Sequence, residues 1–101
     1  MKSVRIAGID YSIEVCDPSQ MQDGGRLGEA DFNRQAIRIN NTVTEQTKQI
    51  AIVHEVLHMI DHAYGTDLSE DQIVRLTHGV VQCVKDNPTF FNHIIHEYRP
   101  G

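Results

Sequence analysis

Along the first third of the chain apolar and polar residues alternate. Val4 and Ile6 fall on one side of Gly8-Ile9-Asp10-Tyr11, and Tyr11, Ile13 and Val15 on the other. A period of two predicts a β-hairpin over residues 4–15. Asp17-Pro18-Ser19 ends it, and the polar stretch through Gly24-Gly25 reads as a loop. A second pair of short strands is predicted at residues 27–32 and 36–40, joined through Asn33-Arg34-Gln35. Glu29, Asp31 and Arg38 are poor strand formers, which suits an exposed face or an edge.

After Asn40 the period changes. Thr42 with Glu45 forms a capping-box pattern, and Ile50, Val53, Leu57, Ile60 and Tyr64 recur at alternating spacings of three and four. A helix of about five turns with that apolar stripe is predicted, stopped by Gly65. Ser69 with Gln72 announces a second helix, buried along Ile73, Leu76, Val80 and Val84 and ending near Asp86. Asn87-Pro88 opens a third, with Phe91, Ile94, Ile95 and Tyr98 as its apolar side. Strands followed by helices predict an α+β fold: a small antiparallel or mixed sheet of three to four strands packed on the first helix, with two further helices.

The 101 residues amount to a single domain, 1–101, with 40% apolar residues and so a modest core. A net charge of −5, with lysines and arginines scattered singly, argues against a nucleic-acid groove or an anionic membrane surface as partner. No long apolar run is present, and MKSVRIAG lacks the apolar core of a signal peptide, so a soluble, cytoplasmic protein is expected. Cys16 and Cys83 form no CxxC pattern and read as buried free thiols, Cys83 on the apolar side of the second helix. Histidine is the anomaly: six in 101 residues is about two to three times ordinary usage.

Two of these imidazoles stand in His54-Glu55-Val56-Leu57-His58, an HExxH sequence inside the first predicted helix. Residues four apart project from adjacent turns of one face, so both imidazoles can converge on one ion. With Ile50 as zero, the apolar stripe lies near 280–360°, His54 near about 40°, His58 near about 80° and Glu55 near about 140°. The histidines thus flank the stripe, and Glu55 points beside a metal, as a base acting on water would. A catalytic zinc needs a third protein ligand. The candidates are His62, Glu70, Asp71 and His78. His62 lies about 12 Å from His54 along the axis, too far to share an ion on a straight helix. Glu70 has the best position, because residues 65–69 can reverse the chain and set it beside the histidines; Asp71 is next. Asp61 is a candidate to orient a ligand imidazole, and Tyr64, His78, His96 and Tyr98 are candidate donors to an oxyanion. Gly24, Gly25 and Gly28 lack the Lys-Ser/Thr of a phosphate loop and read as loop glycines.

HEVLH on the first helix, Ser69-Glu70-Asp71-Gln72 opening the next, and the short strands before them resemble the compact HExxH metallopeptidases of the zincin type. The resemblance is greatest to the small phage and prophage proteins grouped with ImmA/IrrE peptidases, and runs from Ala36 to about Pro88. It implies a zincin-like fold, zinc on His54, His58 and Glu70, Glu55 as general base, and a protein or peptide substrate lying along an edge strand, for which residues 27–32 are the candidate. The metzincin pattern is not met, since Asp61 and Tyr64 stand where its glycine and third histidine belong. The expectation is a zinc metallopeptidase. The competing expectations are a zinc-stabilised interaction module without turnover and a metal-free scaffold or adaptor. Glu55, which zinc retention does not need, favours catalysis.

Overall fold

The computed structural model describes residues 3–97, with side chains through residue 94. Strands β1 (Ser3–Ile6) and β2 (Ile9–Cys16) form the expected hairpin, but its turn is Ala7-Gly8. Both turn residues have positive φ, 50° and 81°, a backbone twist that matches two antiparallel strands and favours glycine. Ile9 and Asp10 therefore belong to the strand, where Asp10 faces Arg5 across the ladder and pairs with it at 3.3 Å.

After a single 3-10 turn at Pro18–Gln20, strands β3 (Gly28–Asp31) and β4 (Ala36–Asn40) form a second antiparallel hairpin. The two hairpins join through a parallel pair, β2 with β4, registered from Ser12 opposite Ala36 to Cys16 opposite Asn40. The sheet is therefore mixed, in the order β1-β2-β4-β3, with β3 on an edge. The interior strand β4 supplies the fully buried Ile37 and Ile39.

Glu29, Asp31 and Arg38 are buried, contrary to the exposed placement their strand propensities suggest. Register is the reason. Arg38 stands opposite Glu29, and its guanidinium reaches Glu29 at 3.1 Å and Asp31 at 3.0 Å. The Glu29 carboxylate also accepts the amides of Gln22 and Asp23, which ties the loop before β3 to the sheet. Among the described residues no buried side-chain polar atom lacks a partner. Replacing Arg38 by Met should strand two buried carboxylates, and urea denaturation should show a loss of about 3–5 kcal/mol. A loss below about 1 kcal/mol would mean that water reaches the cluster freely.

Helix α1 (Glu45–Tyr64) is capped by Thr44, whose hydroxyl accepts the Thr47 amide, and not by Thr42. Thr42 instead donates its hydroxyl to Asn40 in the turn leaving β4. The deepest stripe of α1 is Ala51, Glu55 and Met59, with Ile52, Val56 and Ile60 partly buried beside it; Tyr64 is exposed. This differs from the expected stripe because α1 packs on two sides, against the sheet and against the next helix. Ala51 and Glu55 also carry little apolar weight in a periodicity.

Helix α2 (Glu70–Asp86) starts with the expected Ser69–Gln72 capping box and buries Ile73 and Thr77. Leu76, Val80 and Val84 are each more than one-third exposed, and Cys83 is exposed rather than buried. The line from Ile73 to Thr77 is the side that the fold covers, and the outer flank of the apolar stripe remains open. Helix α3 (Pro88–Glu97) begins at its proline and packs on α2, with Phe91 partly buried and Ile94 exposed. The expected contacts of Ile95 and Tyr98 lie outside the described side chains. The fold is α+β. No helix among the described residues is long and apolar enough to cross a membrane.

Candidate metal centre

On α1, His54 and His58 sit about 60–100° round the helix from the sheet-facing line through Glu55. That places them at the boundary between the sheet and α2. Both rings are partly buried, with Nε2 atoms 3.1 Å apart. Glu70, the first residue of α2, spans the pair: one carboxylate oxygen is 2.9 Å from His54 Nε2 and the other 2.8 Å from His58 Nε2. Tetrahedral zinc with bonds of about 2.0–2.2 Å sets its ligand atoms about 3.3–3.5 Å apart. The three groups meet that requirement after opening by a few tenths of an ångström, and two neutral imidazoles with one carboxylate are a donor set suited to Zn2+.

A short loop delivers Glu70 to this point. Gly65 ends α1 at φ 62° and donates its amide to the Asp61 carbonyl. The Asp61 side chain then holds the reversal, one oxygen accepting both the Thr66 hydroxyl and, at 2.8 Å, the Leu68 amide. These bonds keep the Asp61 carboxyl below its ordinary range, the Thr66 hydroxyl contributing most. Asp61 thus positions Glu70 through the loop, rather than bonding an imidazole directly. Asp61→Ala should weaken zinc binding by about ten- to a hundred-fold in a chelator competition, whereas Asp61→Asn, whose amide oxygen can accept the same two bonds, should largely restore it. Equal losses in both variants would point to charge instead of loop geometry.

Glu55 faces the sheet, 8% exposed, beside the first residue of β3. A Cβ on Gly28 would lie 3.4 Å from Glu55 Cγ, 3.1 Å from Ile39 Cδ1 and 3.3 Å from the Arg38 carbonyl oxygen. Gly28 is therefore a strand residue where a Cβ would crowd Ile39 and the Arg38 carbonyl, with Glu55 in ordinary contact beyond, and not a loop glycine. Its partial signal in the sequence is the small pair Gly28 and Ala30 at a spacing of two. Burial pushes the Glu55 carboxyl above its ordinary pKa, opposed by the His58 and Arg26 charges. Burial also lowers the His54 pKa, with Glu70 opposing. His54 thus favours the neutral form that binds a metal.

A cleft of about 760 Å³ runs between β3 and α1, with His54, Glu55, His58 and Glu70 on its wall. No family profile matches the chain, and neither a curated protein nor a solved structure matches it. The other candidates are not part of the His54–His58–Glu70 group. Asp71 pairs with Arg75 on α2 at 2.6 Å, and His78 is exposed on the same helix. Tyr64 is exposed at the end of α1 and does not line the cleft. The His96 side chain and Tyr98 lie outside the described residues. His62 lines the cleft one turn beyond His58, with its ring against Phe32.

Proposed function

We propose that this chain is a zinc-dependent metallopeptidase of zincin-like architecture, related to the ImmA/IrrE-type phage and prophage proteins that its HExxH helix resembles. The observation that carries the proposal is the closure of His54, His58 and Glu70 into one group with its ligand atoms within 4.8 Å, beside a cleft that also holds Glu55. Zn2+ held there would supply a Lewis acid and lower the pKa of a coordinated water. Glu55 takes a proton from the attacking water and delivers it to the leaving amine.

The edge of β3 gives a peptide a place to lie. The Leu27 carbonyl accepts the Asn40 amide, so the alternation of an antiparallel ladder turns the backbone groups of Gly28 and Ala30 away from β4. An extended substrate can pair with that edge along the cleft. Hydrolysis of a denatured protein mixture by zinc-restored enzyme, with elemental analysis, tests the proposal. One zinc per chain and zinc-dependent cleavage, both lost in His54→Ala, are expected. Absence of bound zinc would sink the metal centre. Bound zinc without cleavage would leave a zinc-stabilised interaction module, a reading that the open apolar flank of α2 favours.

A further inference from the structure

The cleft has two unlike ends. β3 runs alongside α1 in the same direction, so Gly28 lies against Glu55 while Phe32 lies against His62. Arg26 lines the first end and is the only lysine or arginine among the described residues of the cleft wall. Its own partner is Asp23, at 3.3 Å, in a pair whose side chains are about two-thirds exposed. Such a pair is weak, so the guanidinium can exchange Asp23 for a ligand carboxylate. At the far end the Phe32 and His62 ring centroids are 4.6 Å apart, and Phe32 remains 42% exposed. This is a platform on which a further ring can stack.

Resting on the metallopeptidase reading, we propose that the cleft selects an extended peptide with an acidic side chain at the Arg26 end and an aromatic side chain at the Phe32–His62 end. The bond to be cleaved lies between them. β3 covers Gly28–Asp31 and the two selecting side chains flank it, so the two selected side chains stand about five residues apart. At the far end Asp61 lines the wall beside His62 and disfavours an acidic side chain there.

A series of blocked decapeptides in an alanine–serine background, with Glu and Phe about five positions apart, tests this in two ways. Binding is measured to zinc-loaded Glu55→Gln, and cleavage with zinc-loaded wild-type protein. Glu-to-Lys replacement in the peptide should weaken binding by about tenfold. Arg26→Glu, made in the Glu55→Gln background, should reverse that order, and Arg26→Gln should abolish it without reversal. Phe32→Ala should remove the preference for Phe and keep that for Glu. Peptides that bind without side-chain preference, that fail to bind, or whose preference ignores Arg26 overturn the inference. Selective binding without cleavage by the wild type overturns the peptidase reading alone, and cleavage without selectivity overturns this inference alone.

Discussion

Glu55→Gln should reduce turnover by about a hundred- to ten-thousand-fold while the protein still binds one zinc, because the amide keeps the shape of the side chain and cannot accept the proton. The comparison is made at saturating zinc, with metal content measured on the same sample. Turnover within about twofold of wild type would remove Glu55 from the reaction. Ionisation adds a second signature. Glu55 must be ionised to act as a base, so kcat/KM should fall on the acid side of its pH profile.

The raised pKa of Glu55 has a stability consequence of opposite sign. A carboxyl whose folded-state pKa is raised contributes stability that is present below its unfolded pKa and lost as pH rises through the folded one. At neutral pH the metal-free wild type therefore carries an unfavourable buried charge that Glu55→Gln lacks. The metal-free variant should melt a few degrees higher at pH 7, the scale of about 1 kcal/mol in a domain of this size. That advantage should fade as the pH is lowered through the raised pKa and be gone below the ordinary carboxylate range. A variant that is more stable and far less active is the mark of a residue retained for chemistry.

Removing zinc should destabilise the fold on a larger scale. An ion present at a thousand times its dissociation constant adds about 4 kcal/mol to the state that binds it, enough in a chain of this length to move the thermal midpoint by about 15 °C or more. The loss should not be uniform. The proposed centre spans α1 and the first residue of α2, and Ile73 and Thr77 are the buried side chains of α2. Hydrogen exchange after chelation should accelerate first along α2, while the amides of β2 and β4 keep their protection. Simultaneous loss of protection in the sheet would show that the metal supports the whole core rather than the α1–α2 junction.

How much of this was legible without coordinates depended on the range of the interaction. The Ser69–Gln72 box, the Gly65 stop and the Pro88 start are local signals, and α1 ends and α2 and α3 begin there, whereas α1 begins at Thr44 and not at the Thr42–Glu45 pattern. The burial of Glu29, Asp31 and Arg38 was not legible. Strand propensity treats each charge as if it faced water, whereas the register of β3 with β4 sets the three against one another. The placement of Glu55 was half legible: HExxH spacing separates it from the two imidazoles, but only the sheet shows what it packs on. Gly28 left only a faint mark, the small residue Ala30 two positions on, because what it accommodates comes from the neighbouring strand. Glu70 reaches the histidines through the Asp61-anchored reversal, which no hydrophobic period encodes.

The parallel pairing of β2 with β4 also sets an order of events during folding. Closing that pair requires the chain between Cys16 and Ala36 to fold back on itself, and a free loop pays more entropy the longer it is. The β3–β4 hairpin is local and takes up part of that excursion, so its formation shortens the loop left to close. Contacts within this hairpin should accordingly be more developed in the transition state than those between β2 and β4. φ-values at Ala30 that exceed those at Ile13 would show it, and the reverse order would refute it. The wall of the cleft would then be built before the sheet that supports it is complete.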